Sequence, residues 1–371
     1  MEEFAEIEPS GFKIEFTPQP NGTCLVSMEP SSLTGPLVPN RFVRTVGVVV
    51  SHDGTVLEVD STCNSPFLRT YATYLFSDRE GLFGRICPSC KSYFRTNCLQ
   101  QTKLICPYCS FKADHGTFMT NNQRRFMSLC QKASLEAMIK GVKTIFDTGE
   151  AIKSLPNNRP TWVYTEENQQ HTFSCDKCTE YNVNIVFNIL GEFGNCPSCG
   201  RRNYATVFGT KMQFLERQFL QKEAAIKEPN LRAEEWKRLL SDCVSQFESL
   251  ANDVRKQLLR IPTTPKHRNA LTNLSFQRVL KAHECLKQWY GIEILGGFTE
   301  DDSNFLNKMF NRRHLVVHTG NRVDEEYLKN TNDASVRLNQ VIRVDSKGIR
   351  RLIPLATRAG KNLIAGYESI Q

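Results

Sequence analysis

The pattern of apolar residues separates a β-type first part of the chain from a helical second part. Short runs rich in apolar and β-branched residues occur at 12–16, 42–50 and 55–59 and are interrupted by prolines. Asp53 and Gly54 separate the last two runs, and this dipeptide is typical of a β-hairpin turn. The first part is therefore predicted to be β-rich.

A helical spacing of apolar residues begins at Asn121 and continues to Phe146, which predicts a helix over that range. The same spacing returns after Lys211 and predicts helices at 211–227, 231–259, 271–289, 303–317, 323–329 and 347–365. The predicted breaks fall at prolines and glycines, namely Pro229, Pro262, Pro265, Gly291, Gly296, Gly297 and Gly320. We expect the C-terminal region to be an all-α bundle.

Eight of the 14 cysteines form four pairs with two residues between the sulfurs. The pairs lie in two groups: Cys87 and Cys90 with Cys106 and Cys109, and Cys175 and Cys178 with Cys196 and Cys199. This spacing lets four thiolates surround one ion, and a reducing cytosol favours metal binding over disulfides. The groups resemble zinc ribbons. They predict two Zn²⁺ ions per chain, and because four thiolates leave no open position, both ions are expected to be structural.

A chain of 371 residues is long enough for several domains. The patterns predict an α+β multidomain protein with a β-rich N-terminal region, two zinc ribbons and a C-terminal all-α helical bundle. The predicted boundaries are 1–80 for the β-rich domain, 81–118 for the first ribbon, 119–160 for a helical connector, 161–210 for the second ribbon and 211–371 for the bundle.

The net charge of +8 is unevenly distributed, since residues 201–371 carry +10 and residues 1–200 carry −2. Within the first half, residues 81–130 still carry +6. Two basic zones favour RNA or DNA as a partner, and a solvated surface is the alternative interpretation. The first ribbon also has basic and aromatic residues between its cysteine pairs, a mixture that suits nucleic acid: Lys91, Tyr93, Phe94 and Arg95.

The composition is that of an ordinary globular protein, with 40% hydrophobic and 23% charged residues. Apolar runs fall short of the ~20 residues that a membrane-spanning helix needs. The first residues are acidic, whereas a signal peptide begins with basic residues. We therefore expect a cytoplasmic protein without a membrane partner.

Arg313 lies close to the centre of an apolar helical stripe that includes Leu306, Phe310 and Val317. A guanidinium in such a place requires an anion. A salt bridge to an acidic side chain of the bundle would satisfy it, and so would a bound phosphate. The sequence leaves both alternatives open.

Arg313 is followed by a polar residue, His314, and by His318 five positions after the arginine. This arrangement resembles the motif of the HEPN superfamily of helical nucleotide- and RNA-processing domains. Gly320, Asp324, Tyr327, the run 341–344 and a terminal helix follow in the order found in HEPN-like proteins, so the resemblance covers about 211–371.

The resemblance implies a helical homodimer that acts as a metal-independent endoribonuclease, although several HEPN proteins lack cleavage activity. Arg313 would then hold the scissile phosphate, His318 would transfer a proton, and His314 would orient one of these groups. In a straight helix His318 lies about 140° around the axis from Arg313. The helix is therefore expected to end or bend there, or a second subunit to supply one group.

Other catalytic motifs do not fit the sequence. His314 and His318 have the spacing of a zinc-binding helix, but the residues between them include no glutamate, so the metalloprotease motif fails. The sequence contains neither a phosphate-binding glycine-rich loop with its lysine nor a Gly-x-Ser-x-Gly elbow.

Two functional hypotheses follow. The first is a HEPN-type endoribonuclease, expected to be a toxin or phage-defence effector, whose N-terminal half recognises a protein or nucleic-acid trigger or the RNA substrate. The second is a non-catalytic adaptor that dimerises through the helical domain and binds nucleic acid or protein through its ribbons. An intact pair of Arg313 and His318 favours the nuclease.

Overall fold

The structure is a computed structural model that describes residues 13–20, 24–29, 43–50, 56–59, 70–76, 82–98, 103–155, 171–262 and 264–370. The fold is α+β, with helices and antiparallel sheets. The chain divides into two compact units, Met1–Asn203 and Tyr204–Gln371. The named strands belong to the first unit, and the named elements of the second unit are helices.

The strands are β1 (Lys13–Pro18), β2 (Cys24–Glu29), β3 (Val43–Val50), β4 (Val56–Val59), β5 (Thr70–Phe76), β6 (Phe83–Ile86), β7 (Tyr93–Thr96), β8 (Lys103–Ile105), β9 (Lys112–Asp114), β10 (Thr144–Asp147), β11 (His171–Ser174) and β12 (Val186–Ile189). The helices are α1 (Asn121–Lys140), α2 (Thr148–Lys153), α3 (Asp176–Glu180), α4 (Tyr204–Ala225), α5 (Pro229–Leu258), α6 (Pro265–Thr272), α7 (Val279–Tyr290), α8 (Glu300–His318), α9 (Glu325–Thr331) and α10 (Ser346–Glu368). None of these described helices is long and apolar enough to cross a membrane.

The predicted N-terminal strands are confirmed. β1 pairs with both β2 and β10, and its buried residues Ile14 and Phe16 pack against Phe126 and Cys130 of α1. β3 and β4 pair antiparallel. Val50 at the end of β3 lies opposite Val56 at the start of β4, as in a hairpin. The predicted turn residues of this hairpin, at 53 and 54, lie outside the described residues.

The helix predicted from Asn121 to Phe146 is correct at its start and wrong at its end. A capping box between Thr120 and Gln123 begins α1, and the helix ends at Gly141, which adopts the left-handed conformation (φ 66°). The chain then forms β10 beside β1. The apolar spacing continued past the glycine, but that segment is rich in β-branched residues, which favour a strand.

The two cysteine-rich segments share one antiparallel sheet, in the order β11-β12-β7-β6. β6 and β7 come from the first segment, and β11 and β12 come from the second. Phe94 and Phe187 are buried in the same hydrophobic cluster, together with cysteines of both groups. The ribbons therefore have a common core.

Long helices form the second unit and pack through aromatic contacts. Phe247 of α5 meets Phe310 of α8 edge to face, with ring centroids 5.3 Å apart. α10 packs on α4 and α5. A β-carbon at Gly360 of α10 would overlap the ring of Phe208, so this close approach requires glycine.

The predicted helix at 271–289 is correct from Val279 onward and wrong at its start, and the other C-terminal helices are present with shifted ends. The structure has two helices there, α6 and α7, separated by residues 273–278. Pro265 was predicted as a break but is the first residue of α6, where proline is tolerated because that N–H lacks a helical partner. The Thr264 hydroxyl caps this end by accepting from the backbone N–H of His267.

Candidate functional site

The first cysteine group comes together at two turns of similar geometry. After Cys90 and after Cys109, the chain adopts a left-handed conformation at Lys91 (φ 61°) and Ser110 (φ 62°). The N–H of Lys91 donates to the Cys87 carbonyl at 2.8 Å, which closes the first turn. The four sulfurs, from Cys87, Cys90, Cys106 and Cys109, all lie within 4.8 Å of one another.

The sulfur spacing fits a tetrahedral metal ion. A metal–sulfur bond of about 2.3 Å places neighbouring sulfurs of a tetrahedral site about 3.8 Å apart. The Sγ atoms of Cys87 and Cys109 are 3.5 Å apart, and those of Cys90 and Cys106 are 3.7 Å apart. Burial raises the pKa of Cys87 to about 11, and a divalent cation would reverse that preference for the neutral thiol.

The sulfur–sulfur distances in the second group match those in the first, but one of its cysteine pairs does not lie in the same kind of turn. The Sγ atoms of Cys175 and Cys199 are 3.6 Å apart, and those of Cys178 and Cys196 are 3.8 Å apart. Gly200, directly after the last cysteine, has φ 78°, a left-handed conformation that glycine adopts without strain. The other pair instead lies at the start of the short helix α3. The structure thus contains two four-cysteine groups at metal-binding distances.

The two metal-binding groups contact each other through their proline-containing turns. The N–H of Ile105 donates to the Pro197 carbonyl at 2.8 Å, and the N–H of Asn195 donates to the Pro107 carbonyl at 2.8 Å. The Asn195 side chain also donates to the Ser110 hydroxyl at 2.7 Å. Each cysteine group is therefore hydrogen-bonded to a turn that carries two cysteines of the other group.

The predicted basic and aromatic surface of the first ribbon is wrong. Tyr93, Phe94 and Arg95 are buried, and Lys91 alone of these four is exposed. Phe94 packs edge to face on Phe118, with ring centroids 5.8 Å apart. These aromatic residues hold the sheet together, so they cannot stack on nucleic-acid bases.

α8 carries the three residues of the predicted helical site at its C-terminal end. The Thr299 hydroxyl accepts from the N–H of Asp302 at 3.1 Å and begins the helix. The helix neither ends nor bends before His318, which is its last residue. Arg313 and His318 consequently point about 140° apart around its axis.

The structure brings His314 and His318 together. Their ring centroids are 4.7 Å apart, as expected for residues one helical turn apart. His318 is exposed, and His314 is half-buried. The two imidazoles therefore form a pair at the exposed end of α8.

Arg313 contacts α5 rather than the histidine pair. Its Nη2 lies 3.7 Å from Oε2 of Glu248 and donates to the Ser245 hydroxyl at 3.4 Å. The side chains of Arg313 and Glu248 are each 17% exposed. Burial raises the pKa of Glu248, although Arg313 and a hydrogen bond from Gln277 act in the opposite direction. The salt bridge considered as one alternative for Arg313 is thus present.

A buried carboxylate fixes α9 against α8 beside this site. Asp333 accepts from Lys308 at 3.0 Å, from Arg312 at 3.3 Å and from the Tyr327 hydroxyl at 2.8 Å. Its side chain is 1% exposed. Burial by itself would raise the pKa of Asp333, but hydrogen bonds from Ser335, Tyr327 and Lys308 hold that pKa well below the usual range. Burial raises the pKa of Tyr327 to about 12, so this hydroxyl remains a donor at neutral pH.

Sequence reasoning missed Glu248, Ser245 and Asp333, which are far in the chain from the motif they contact and show no pattern of their own. No protein-family model, curated protein or solved structure matches the chain. The geometry of the site is therefore the basis for inferring what it does.

Proposed function

We propose that the helical unit is a metal-independent endoribonuclease of the HEPN type. The observation that carries this proposal is the pair of imidazoles, His314 and His318, at the exposed end of α8. Imidazoles exchange protons near neutral pH, and RNA carries its own nucleophile in the 2′-hydroxyl. Cleavage then needs proton transfer and a positive group on the phosphate, but no metal ion.

Each residue has a role in this chemistry. His318 transfers a proton to or from the 2′-oxygen or the leaving 5′-oxygen, and His314 orients His318 or the phosphate. Arg313 stabilises the charge on the phosphate in the transition state. A guanidinium has five N–H donors, so Arg313 can bind a phosphate oxygen while its contact with Glu248 positions it.

A homodimer suits this arrangement, because Arg313 and His318 point in different directions on one helix. A second copy of α8 would bring its own Arg313 toward the His318 of the first copy. Val317, beside His318, is 50% exposed, which leaves an apolar side chain at the surface where a second copy could pack.

We also propose that both cysteine groups bind Zn²⁺ and that the first unit recognises the RNA substrate or a trigger of nuclease activity. Four sulfurs at tetrahedral spacing are the ligands typical of structural zinc. The exposed cations of the first unit, which include Lys91, Lys103 and Lys112, support a polyanionic ligand.

A non-catalytic adaptor is the second candidate, and the ion pair of Arg313 favours it. Glu248 supplies an anion for the half-buried guanidinium, so RNA is not needed to explain that residue. In this case the helical unit dimerises, and the first unit binds nucleic acid or protein.

Cleavage of RNA by matched variants separates the candidates. The full chain is incubated with RNA in EDTA, and its zinc content is measured afterwards to show that the metal sites survived. We expect His318→Ala to lower the cleavage rate by about 10²- to 10⁴-fold, the usual contribution of a general acid or base, with RNA binding retained. His267→Ala is the control, since His267 stacks on Trp289 elsewhere in the same unit. Equal cleavage by the wild type and His318→Ala would exclude the proposed role.

A further inference from the structure

A cleft of about 150 Å³ lies beside His314, between α8, α9 and the segment that precedes α7. α8 contributes Asn311, His314 and Leu315 to its lining. His318 lies one turn further along this helix, with its ring centroid 4.7 Å from that of His314. An RNA strand bound at the histidine pair would therefore place a neighbouring nucleotide at this cleft.

The charge of the cleft excludes a phosphate and suits a neutral polar group. Asp324 and Glu326 bring two carboxylates to its lining. Arg278, the lining arginine, is ion-paired with Glu326 at 2.5 Å, and the two charges offset each other, which leaves the carboxylate of Asp324. A phosphate placed here would be repelled by that carboxylate, whereas the base of a nucleotide would not.

The amides of the cleft match the edge of a base. Gln277 uses one N–H to donate to Glu248, and an amide that does so still has a second N–H and a carbonyl oxygen. Asn330 brings a second amide, whose NH2 group donates to Oδ1 of Asn311 at 3.4 Å and to Glu326 and whose oxygen can accept. Alternating donors and acceptors of this kind recognise the hydrogen-bonding edges of single-stranded bases.

The size of the cleft suits a single six-membered ring. An engineered cavity of about 150 Å³ in a protein core holds one benzene molecule, so a cleft of this volume has room for one six-membered ring. Leu315 and Tyr327, both buried, provide its walls. A pyrimidine ring therefore fits this space.

Asp324 distinguishes the two pyrimidines. One of its carboxylate oxygens accepts from the backbone N–H of Tyr327 at 2.7 Å and caps α9. A carboxylate has a second oxygen, which can accept from an exocyclic amine such as that of cytosine. Uracil presents a carbonyl oxygen at the same position, and two acceptors facing each other repel.

We propose that this cleft binds one pyrimidine base of the RNA strand beside the cleaved bond, with cytosine preferred to uracil. This inference rests on the proposed function in one respect, which is that RNA is the ligand of the helical site. It adds a base preference that the histidines and Arg313 do not themselves provide.

Binding of short RNA tests the preference without depending on cleavage. The probe is a fluorescent oligoadenylate with a single central cytosine or uracil, and the protein is full-length His318→Ala, whose affinity is measured by anisotropy. We expect the cytosine probe to bind about tenfold more tightly, the low end of the discrimination given by a directed base contact. Equal affinity for the two probes, or no binding of either, would overturn the inference.

Asp324→Asn, made in the same background, tests the residue that carries the preference. Asparagine also caps helices, so α9 is retained, while its amide can donate to the uracil carbonyl. We expect the preference for cytosine to disappear or reverse. Asp345→Asn is the matched control, because Asp345 caps α10 through the N–H of Gly348. Thermal melting confirms that both variants fold, and an unchanged preference in folded Asp324→Asn would refute the assignment.

The base preference and the nuclease can fail separately. If the wild type cleaves RNA without a cytosine preference in binding, the cleft assignment is wrong and the nuclease stands. If the cytosine probe binds more tightly but no RNA is cleaved, the nuclease is wrong and the base-binding cleft stands.

Discussion

Replacing Cys106 with serine should weaken metal binding at both cysteine groups rather than one. Cys106 is fully buried and is a ligand of the first group. Its turn is joined to the second group by three short hydrogen bonds, at 2.8, 2.8 and 2.7 Å, and by a longer one from Nδ2 of Asn195 to the Cys106 carbonyl at 3.4 Å. Serine is a poor zinc ligand. The first cysteine group should therefore lose its metal ion, and the turn that contains Cys106 should lose its fixed conformation.

The size of the effect follows from the three short bonds. A hydrogen bond contributes about 0.5–1.5 kcal/mol net, so three of them couple the groups by about 1.5–4.5 kcal/mol. This coupling corresponds to a loss of zinc affinity at the intact second group of about 10- to 1,600-fold. The variant should therefore lose one ion at once and release the other at a much lower chelator concentration than the wild type.

Elemental analysis of zinc per chain along a chelator titration provides the measurement. Cys98→Ser is the control, because Cys98 is buried in the same hydrophobic cluster but belongs to neither group. It should keep two ions per chain. If Cys106→Ser keeps one ion with the chelator midpoint of the wild type, the two groups are independent and the coupling argument is wrong.

Two further predictions concern carboxylates of the helical unit. Burial raises the pKa of Glu248 above its ordinary 4.5, so the folded protein takes up a proton that the unfolded chain does not, and stability falls as the pH rises above 4.5. Glu248→Gln removes this titration, so its melting temperature should fall less than that of the wild type between pH 4.5 and pH 7; an equal fall in the two proteins would contradict this. The pKa of Asp333 is lowered, so its stabilisation is present above pH 3.8 and is lost as the pH falls through the folded-state value. Asp333→Ala should lower the free energy of unfolding at pH 7 by about 3 kcal/mol, since it leaves Lys308 and Arg312 without their buried partner; urea denaturation that shows no loss would contradict this.

The sequence predicted features that depend on neighbouring residues. Each cysteine pair is set by a four-residue turn, and the ends of most helices are set by a local cap or a glycine. Gly200 illustrates this, because the conformation that it adopts follows from its place directly after a cysteine pair. The sequence also predicts the helix that begins at Asn121. Its predicted end lies too far along the chain because apolar residues continue beyond Gly141.

Features that depend on distant residues could not be predicted. Arg313 meets Glu248 of a different helix, and no periodicity in either segment indicates the pairing. Tyr93 and Phe94 suggest a surface for bases in the sequence, but Phe94 packs on Phe118 and in one cluster with Phe187, which is far along the chain. The cleft beside His314 was not predicted either, since three separate segments form it.

The chemical nature of the RNA fragment ends tests the central claim most directly. If His318 and Arg313 promote attack by the 2′-hydroxyl, RNA incubated with the full chain in EDTA should give fragments with 2′,3′-cyclic phosphate and 5′-hydroxyl ends. The same RNA with a 2′-O-methyl group at the cleaved nucleotide should remain intact at that position. Fragments with 3′-hydroxyl and 5′-phosphate ends, or cleavage of the methylated RNA, would contradict the account.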